Sequence, residues 1–365
     1  MKNYRIAVVP GDGVGSEVSA EAVKILRTVA EKHGFAVETS EFEWGCDYYL
    51  KHGKMMPDDV LDVLKEFDSI FLGSVGDASK VPDHISLQLL LKIRKGFEQY
   101  VNLRPIKLYP GVESPVKSAT PETVDMVVVR ENTEGEYSGF GGIFKEGTPD
   151  AVTVQTALFT SKGCERIIRY AFEVARLRKK LKKLGDQECV GMVTNCTKSN
   201  ALNYSMVFWD SVYEKVAKGY PDIKTDSAMI DALCMWFVKN PSYFDVIVAS
   251  NLFGDIITDL GAILQGGMGL AAGGNINPEK KFPSMFEPIH GSAPKYAGKG
   301  VVNPIASIEA VRMMLEHLGE KEAASDIQKA VTTVLRAKEV RTRDLGGTSK
   351  TAEVGDEVRR VLLTA

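Results

Sequence analysis

The chain has 365 residues, 45 basic and 48 acidic, leaving a formal charge of −3. That balance excludes a dedicated nucleic-acid or membrane-surface binder, whose affinity needs a basic surplus. With 44% hydrophobic and 25% charged residues the composition is that of a soluble globular protein, long enough to favour two lobes over one core.

The first residues, MKNYRIAVVP, enter a strand at Ile6–Val9 without the apolar core of a signal peptide. A helix is predicted over Ser16–His33, with apolar residues at Val18, Ala22, Ile25, Leu26 and Val29. A second is predicted over Asp58–Phe67 after Pro57, then a short strand at Ile70–Leu72. Further strands are expected at Val124–Val129, Val152–Ala157, Val190–Thr194 and Val246–Ala249. Helices are expected at Gly163–Leu184, Ala201–Lys218, Met229–Lys239 and Asp255–Gln265. This alternation implies an α/β architecture with largely parallel pairing. The glycine-rich segment 266–274 and the Pro- and Gly-rich stretch 277–304 break it, and two helices, Ile305–Leu318 and Lys321–Lys338, close the chain. No apolar run reaches the ~20 residues of a membrane span. The five cysteines (Cys46, Cys164, Cys189, Cys196, Cys234) form no C-x-x-C pair, so they read as buried thiols in a reducing cytoplasm rather than a disulfide framework or zinc site.

Three local signals carry chemistry. Pro10-Gly11-Asp12-Gly13-Val14-Gly15-Ser16 lies between a strand and a helix like a dinucleotide fingerprint. However, Ser16 replaces the third glycine and Pro10 intrudes, so a tight turn whose glycines supply positive φ is the competing account. Asp255 and Asp259 stand four apart at a helix start, putting two carboxylates on one face. Either the helix N-terminus and solvent relieve their repulsion, or a cation lies between them. The all-oxygen set then suits Mg2+ or Mn2+. Asp231, amid apolar neighbours, is a third candidate ligand. Arg94, Arg104 and Arg130 offer planar forks for carboxylates, Arg130 at the end of an apolar strand. The basic run 176–183 carries no interleaved aromatic and reads as a solvated helix face.

Further marks run nearly end to end: Asn102-Leu103-Arg104-Pro105, Val129-Arg130-Glu131-Asn132-Thr133-Glu134-Gly135-Glu136-Tyr137, Thr197-Lys198-Ser199-Asn200, the 251–259 segment and Phe286-Glu287-Pro288-Ile289-His290-Gly291-Ser292-Ala293-Pro294. With these the chain resembles the isocitrate/isopropylmalate dehydrogenase family of β-decarboxylating dehydrogenases. The resemblance implies an isopropylmalate-dehydrogenase-like two-domain α/β fold with parallel and mixed sheets, not a Rossmann fold. Residues 1–101 and 267–365 would form the cofactor domain, and 102–266 the substrate, metal and dimerisation domain. It implies that Arg94, Arg104 and Arg130 hold substrate carboxylates, with Leu90 and Leu91 beside them. Asp255, Asp259 and a second subunit's Asp231 would hold Mg2+ or Mn2+. Lys198, also from the partner, and Tyr137 would move protons. Glu287, His290, Gly291, Ser292, Ala293, Pro294, Lys295, Tyr296 and Asn303 would bind NAD(P)+. The assembly implied is a homodimer with shared active sites, acting on a small-molecule 2-hydroxy diacid and engaging neither nucleic acid nor membrane. All five acid–base and metal positions are filled, which argues against a non-catalytic paralogue.

Within that family, Cys46–Pro57 and Val81–Ser86 resemble the tartrate and D-malate dehydrogenase branch. One departure is that Gln88 alone follows Ser86-Leu87, where the branch carries Trp-Gly. The leucines of 87–91 offer no donor for the third carboxylate of isocitrate, whereas 3-isopropylmalate suits them and stays the alternative. Lys295-Tyr296 stands where NAD-using members carry Asp-Ile and favours a 2′-phosphate, while Arg341–Gly347 resembles the NAD-using branch.

Overall fold

A computed structural model describes residues 2–184 and 191–364, the side chains of 182–184 excepted. Cys189 and Val190 lie outside the described residues. The chain divides into two compact units: residues 1–99, 107–121 and 262–365, and residues 100–106 and 122–261.

In the first unit five strands are ordered Ala36–Glu41, Asn3–Gly11, Ser69–Ser74, Ser284–Pro288, Ala272–Ile276. The first four pair in parallel and the last is antiparallel to its neighbour. Ile6, Ala7, Val8 and Val9 are buried on both faces of the Asn3–Gly11 strand, as the interior of a parallel sheet requires. The helix Gly15–His33 packs its Val18, Ala22, Ile25, Leu26 and Val29 stripe inward. It ends at Gly34, whose φ of 70° lets its N–H reach the Ala30 and Glu31 carbonyls. On the other side a cluster of Val9, Trp44, Leu72, Leu89, Ile93 and Phe97 forms the core.

Several expectations are corrected here. The helix expected over Asp58–Phe67 spans only Val60–Leu64, because the Asp68 N–H must turn back to the Arg5 carbonyl (2.8 Å) to start the next strand. The 266–304 stretch contains two strands. Ala-Gly-Gly-Asn-Ile hides the first, since glycine is a poor strand former, yet a Cβ at Gly274 would sit 2.8 Å from the Phe286 ring. A third helix, Thr351–Thr364, closes the chain, burying Val354, Val358, Val361 and Leu362 at helical spacing.

In the second unit the order is Val101–Lys107, Asp125–Glu131, Val246–Ala249, Met192–Thr197, Lys224–Met229, the last four in parallel. Helix Ser161–Leu184 covers one face with Ile167, Ile168, Ala171 and Phe172. The basic run lies on it, and two of its arginines are paired: Arg176 with Asp222 (2.7 Å) and Arg178 with Asp245 (2.8 Å) and Asp125 (3.1 Å). The helix expected from Ala201 begins at Ser205, because the Ala201 and Leu202 amides both return to the Lys198 carbonyl as a turn. An antiparallel ribbon, Gly135–Phe144 with Val152–Leu158, exposes Phe140, Ile143, Phe144, Val152 and Val154. Among the described residues four cysteines are free, Cys46, Cys164 and Cys196 buried and Cys234 half-buried. Among the described residues no helix is long and apolar enough to cross a membrane.

Candidate active site

In the second unit the strand Asp125–Glu131 carries Arg130 at its buried end, 2% exposed. The guanidinium donates from Nη1 to Asp255 Oδ1 (2.5 Å), and from Nε (3.1 Å) and Nη2 (2.7 Å) to Asn251 Oδ1. Gly254 permits this approach, because a Cβ there would stand 2.5 Å from Arg130 Cγ. The Tyr137 hydroxyl donates to Asp255 Oδ2 (2.9 Å), and the Arg130 guanidinium lies 5.7 Å from the tyrosine ring centre. Burial first, and the Asp255 charge second, push the Tyr137 hydroxyl up to about 12, so it is a proton donor at neutral pH.

Helix Asn251–Leu264 presents Asp255 and Asp259 on one face. Arg104 Nη1 lies 3.8 Å from Asp255 Oδ1 and 3.9 Å from Asp259 Oδ1, and donates to Thr258 Oγ1 at 2.7 Å. Arg104 and Arg130 are buried, while the Asp255 and Asp259 side chains are 37% and 63% exposed. The strand-end loop closes on a buried carboxylate. Buried Glu131, whose carboxyl is pushed up by its burial, accepts from the Thr133 amide and hydroxyl and the Glu134 amide.

Lys198 and Asp231 meet each other elsewhere in this unit, Nζ to Oδ1 at 2.9 Å, and that bond above all lowers the Asp231 carboxyl. Among the described residues no three His, Cys, Asp or Glu side chains come together as a metal-holding group, so Asp231 does not join Asp255 and Asp259 within one chain. Two solvent-facing carboxylates a helical turn apart, with only oxygen donors, fit a hard divalent cation better than zinc.

In the first unit Arg94 is buried at 4% rather than on a helix surface. Its Nη2 donates to Glu287 Oε1 (2.8 Å), which also accepts from Asn275 Nδ2 (2.8 Å), and its Nε is buried without a hydrogen-bond partner. Arg94 lies on the second of two short helices, Asp83–Ser86 and Gln88–Gly96, with its side chain on the buried face. Leu90 sits in the core cluster, Leu91 is half-buried and Leu87 is exposed. After the Glu287 strand, the His290 ring Nδ1 lies 3.0 Å from the Gly291 carbonyl. Its buried Nε2 has no partner, and burial lowers its pKa so that the ring is neutral. Ser292 is buried, Ala293 adopts a left-handed φ of 39°, and Gly291, Pro294, Lys295 and Tyr296 are exposed. Lys295 Nζ lies 4.9 Å and Lys299 Nζ 5.9 Å from the Tyr296 ring centre. Asn303 donates to Asp344 (3.0 Å) and accepts from the Ile305 amide (3.0 Å). An unpaired polar ring atom and two exposed cations on one loop fit an anionic, heteroaromatic ligand. Sequence reasoning did not single out Asn251, Thr258, Asn275 or Asp344. Asn251 and Thr258 stand inside the quoted aspartate segment, which was the available signal.

The model of the isocitrate/isopropylmalate dehydrogenase family matches residues 5–358. The chain is 49% identical to a probable tartrate dehydrogenase/decarboxylase of Bacillus subtilis, over 98% of each chain. It is 48% identical to a decarboxylating D-malate dehydrogenase of Escherichia coli, over 100% of this chain and 99% of that one. The crystal structure of isocitrate dehydrogenase from Methylococcus capsulatus superposes with a TM-score of 0.85 at 34% identity, covering 98% of this chain and 99% of that one. With 354 matched positions and full-length relatives near half identity, the chain belongs to the isocitrate/isopropylmalate dehydrogenase family.

Proposed function

We propose that this chain oxidises a small 2-hydroxy diacid of the D-malate or tartrate type, with NAD(P)+ and Mg2+ or Mn2+, and releases CO2 from the product. The family consists of oxidative decarboxylating dehydrogenases, and the chain is one of these enzymes acting on a small molecule. The observation that carries the reading is the cluster in which Arg104, Arg130, Asp255, Asp259 and Tyr137 converge. It combines clamps for an anionic substrate, carboxylates for a hard cation, and a protonated hydroxyl.

In this reading Arg104 and Arg130 hold substrate carboxylates, and Arg94 joins them through its place in the family motif. Asp255 and Asp259, with Asp231 of the partner subunit, hold the cation. A bound divalent cation supplies the charge that acidifies an alcohol, and the nicotinamide supplies the hydride acceptor. Lys198 of the partner subunit takes the hydroxyl proton at Nζ as the C–H hydride departs. The C–C bond to the β-carboxylate then breaks, CO2 leaves, and its electron pair remains on carbon. Tyr137 delivers a proton from its hydroxyl to that carbon. Supporting a shared site, Lys198 and Asp231 lie apart from Asp255. The same unit also exposes several large apolar side chains, among them Tyr204, Phe208, Met235, Trp236, Ile256 and Phe144, which a second copy would cover.

For the cofactor, His290–Tyr296 and Asn303 hold the adenosine end, and we infer that NADP+ is accepted at least as well as NAD+. Lys295 and Lys299, both exposed beside Tyr296, support a 2′-phosphate. 3-Isopropylmalate is the second reading, favoured by exposed Leu87 and half-buried Leu91. NAD(P)H absorbance should be followed with D-malate, tartrate, 3-isopropylmalate and isocitrate, each with both cofactors and Mn2+. Turnover only with isocitrate would overturn the substrate class. A kcat/KM for NAD+ more than about tenfold above that for NADP+, a preference of over 1.4 kcal/mol, would overturn the cofactor reading.

A further inference from the structure

The glycine motif at residues 10–16 is not absorbed by the mechanism above, and the structure gives it a specific use. The Asp12 side chain is buried and accepts two backbone hydrogen bonds from different loops: Cys46 N to Oδ1 at 2.7 Å and Gly76 N to Oδ2 at 2.8 Å. Its own amide donates to the Ser74 carbonyl (2.7 Å), and its carbonyl accepts from Ser74 Oγ (2.9 Å). Gly76, whose amide Asp12 accepts, also carries the carbonyl to which Ser292 Oγ donates, so the two bonds flank one Cα. The Ser292 carbonyl accepts the Val14 amide at 2.8 Å. Two routes therefore run from Asp12 to Ser292, one through Gly76 and one along the main chain.

Glycines make this contact possible. A Cβ on Gly13 would lie 2.0 Å from the Ser292 carbonyl oxygen, one on Gly11 1.9 Å from that of Ser74, and one on Gly45 2.6 Å from Asp12 Oδ1. Ser292 precedes Ala293, a non-glycine residue at φ 39°, a conformation that persists only where its surroundings over-determine it. Farther along the same loop, Glu17, from the helix that follows the motif, accepts from the Gly298 and Gly300 amides. The strand-end motif thus holds one end of the 291–300 segment and the next helical turn holds the other.

We propose that Asp12 is a positioning residue for the cofactor loop, its carboxylate fixing the Gly76 amide and, through the Gly76 backbone, the strained Ser292–Ala293 turn. This rests on the reading that residues 290–296 bind NAD(P)+. Asparagine at position 12 is nearly isosteric but can accept from only one of the two amides. The other then faces an NH2 group, and a buried donor loses its partner.

The test uses the full-length protein. In Asp12→Asn, hydrogen exchange of peptides covering 74–77 and 290–297 should accelerate without cofactor present. The Kd for NADPH, read from its own fluorescence, should rise about tenfold, with KM for the cofactor following and kcat within about twofold. Ser74→Ala, which removes one side-chain bond and leaves the backbone contacts, should move both readouts less and in the same direction, and it serves if Asp12→Asn fails to fold. Unchanged exchange at 290–297 in both variants, or an unchanged NADPH Kd despite faster exchange, would overturn the proposal. NADPH that protects residues 290–297 in the unaltered protein while both variants behave normally would sink the positioning role alone. NADPH that fails to protect them would sink the cofactor reading and this proposal with it.

Discussion

Arg130→Lys is the most informative single change, because it keeps the charge and removes the fork. Arg130 uses three nitrogens on two acceptors, Asp255 Oδ1 and Asn251 Oδ1. An ammonium can keep one of these partners but not both in the same geometry. Loss of a charge-assisted bond inside a site where the arginine is 2% exposed costs about 2–3 kcal/mol. With an unfolding entropy of about 2 cal/mol/K per residue, a cooperative transition of this chain would melt about 3 °C lower. The same displacement frees Asp255 from its partner and misplaces the group assigned to a substrate carboxylate, so kcat/KM should fall about 100-fold. Calorimetry and initial rates on the same preparation measure both. Arg169→Lys is the control: its pair with Glu165 is on the surface, where solvent and salt screen it, so both readouts should stay unchanged. Melting unchanged within about 1 °C and kcat/KM within about threefold in Arg130→Lys would refute the claim that the fork organises the site.

Asp255→Asn and Lys198→Met should each abolish turnover while far-UV dichroism stays native; activity kept within about tenfold in either would refute the assigned roles. Metal stripped by chelation should take activity with it, and Mn2+ or Mg2+ should restore it where Zn2+ does not, as the all-oxygen donors require. His317 supplies a pH test away from the site. Burial lowers its pKa from 6.5 to about 4, with Lys280 adding to the effect, so the fold favours the neutral ring. That stabilisation is complete above pH 6.5 and is lost as the pH falls toward 4, by at most about 3 kcal/mol. In denaturant titrations His317→Asn should flatten stability across that window, and an unchanged pH slope would refute it.

Legibility followed local chemistry. The strands Val246–Ala249 and Asp125–Glu131 announce themselves through β-branched runs, and the Gly15–His33 helix through its apolar stripe. Lys224–Met229, an edge strand of Lys-Thr-Asp-Ser-Ala-Met, carries no such run, because an exposed edge does not need one. The Thr351–Thr364 helix carries its signal in the spacing of Val354, Val358, Val361 and Leu362, a stripe diluted by the charged residues between them. At the site, the one-face relation of Asp255 and Asp259 follows from helix geometry alone. The partners of Arg94 and Arg130 do not, since Glu287 is 193 residues from the first and Asp255 125 from the second. Only tertiary pairing brings them within reach.

The glycine motif shows why spacing alone leaves such questions open. A phosphate-binding loop and a loop knotted into its own fold both need glycines after a strand, in one case for ligand approach and in the other for backbone approach. What separates them is where the amides point. Here the Asp12 amide is spent on Ser74, that of Val14 on Ser292 and that of Gly15 on the Asp12 carbonyl. Three donors that a phosphate would require are thus committed to protein carbonyls. The Asp12 carboxylate is spent on two more amides, where an incoming anion would meet its charge. A dinucleotide phosphate at this turn would have to break at least one of those bonds, so on the proposed role of Asp12 the motif has a place in cofactor binding only at one remove, through Ser292.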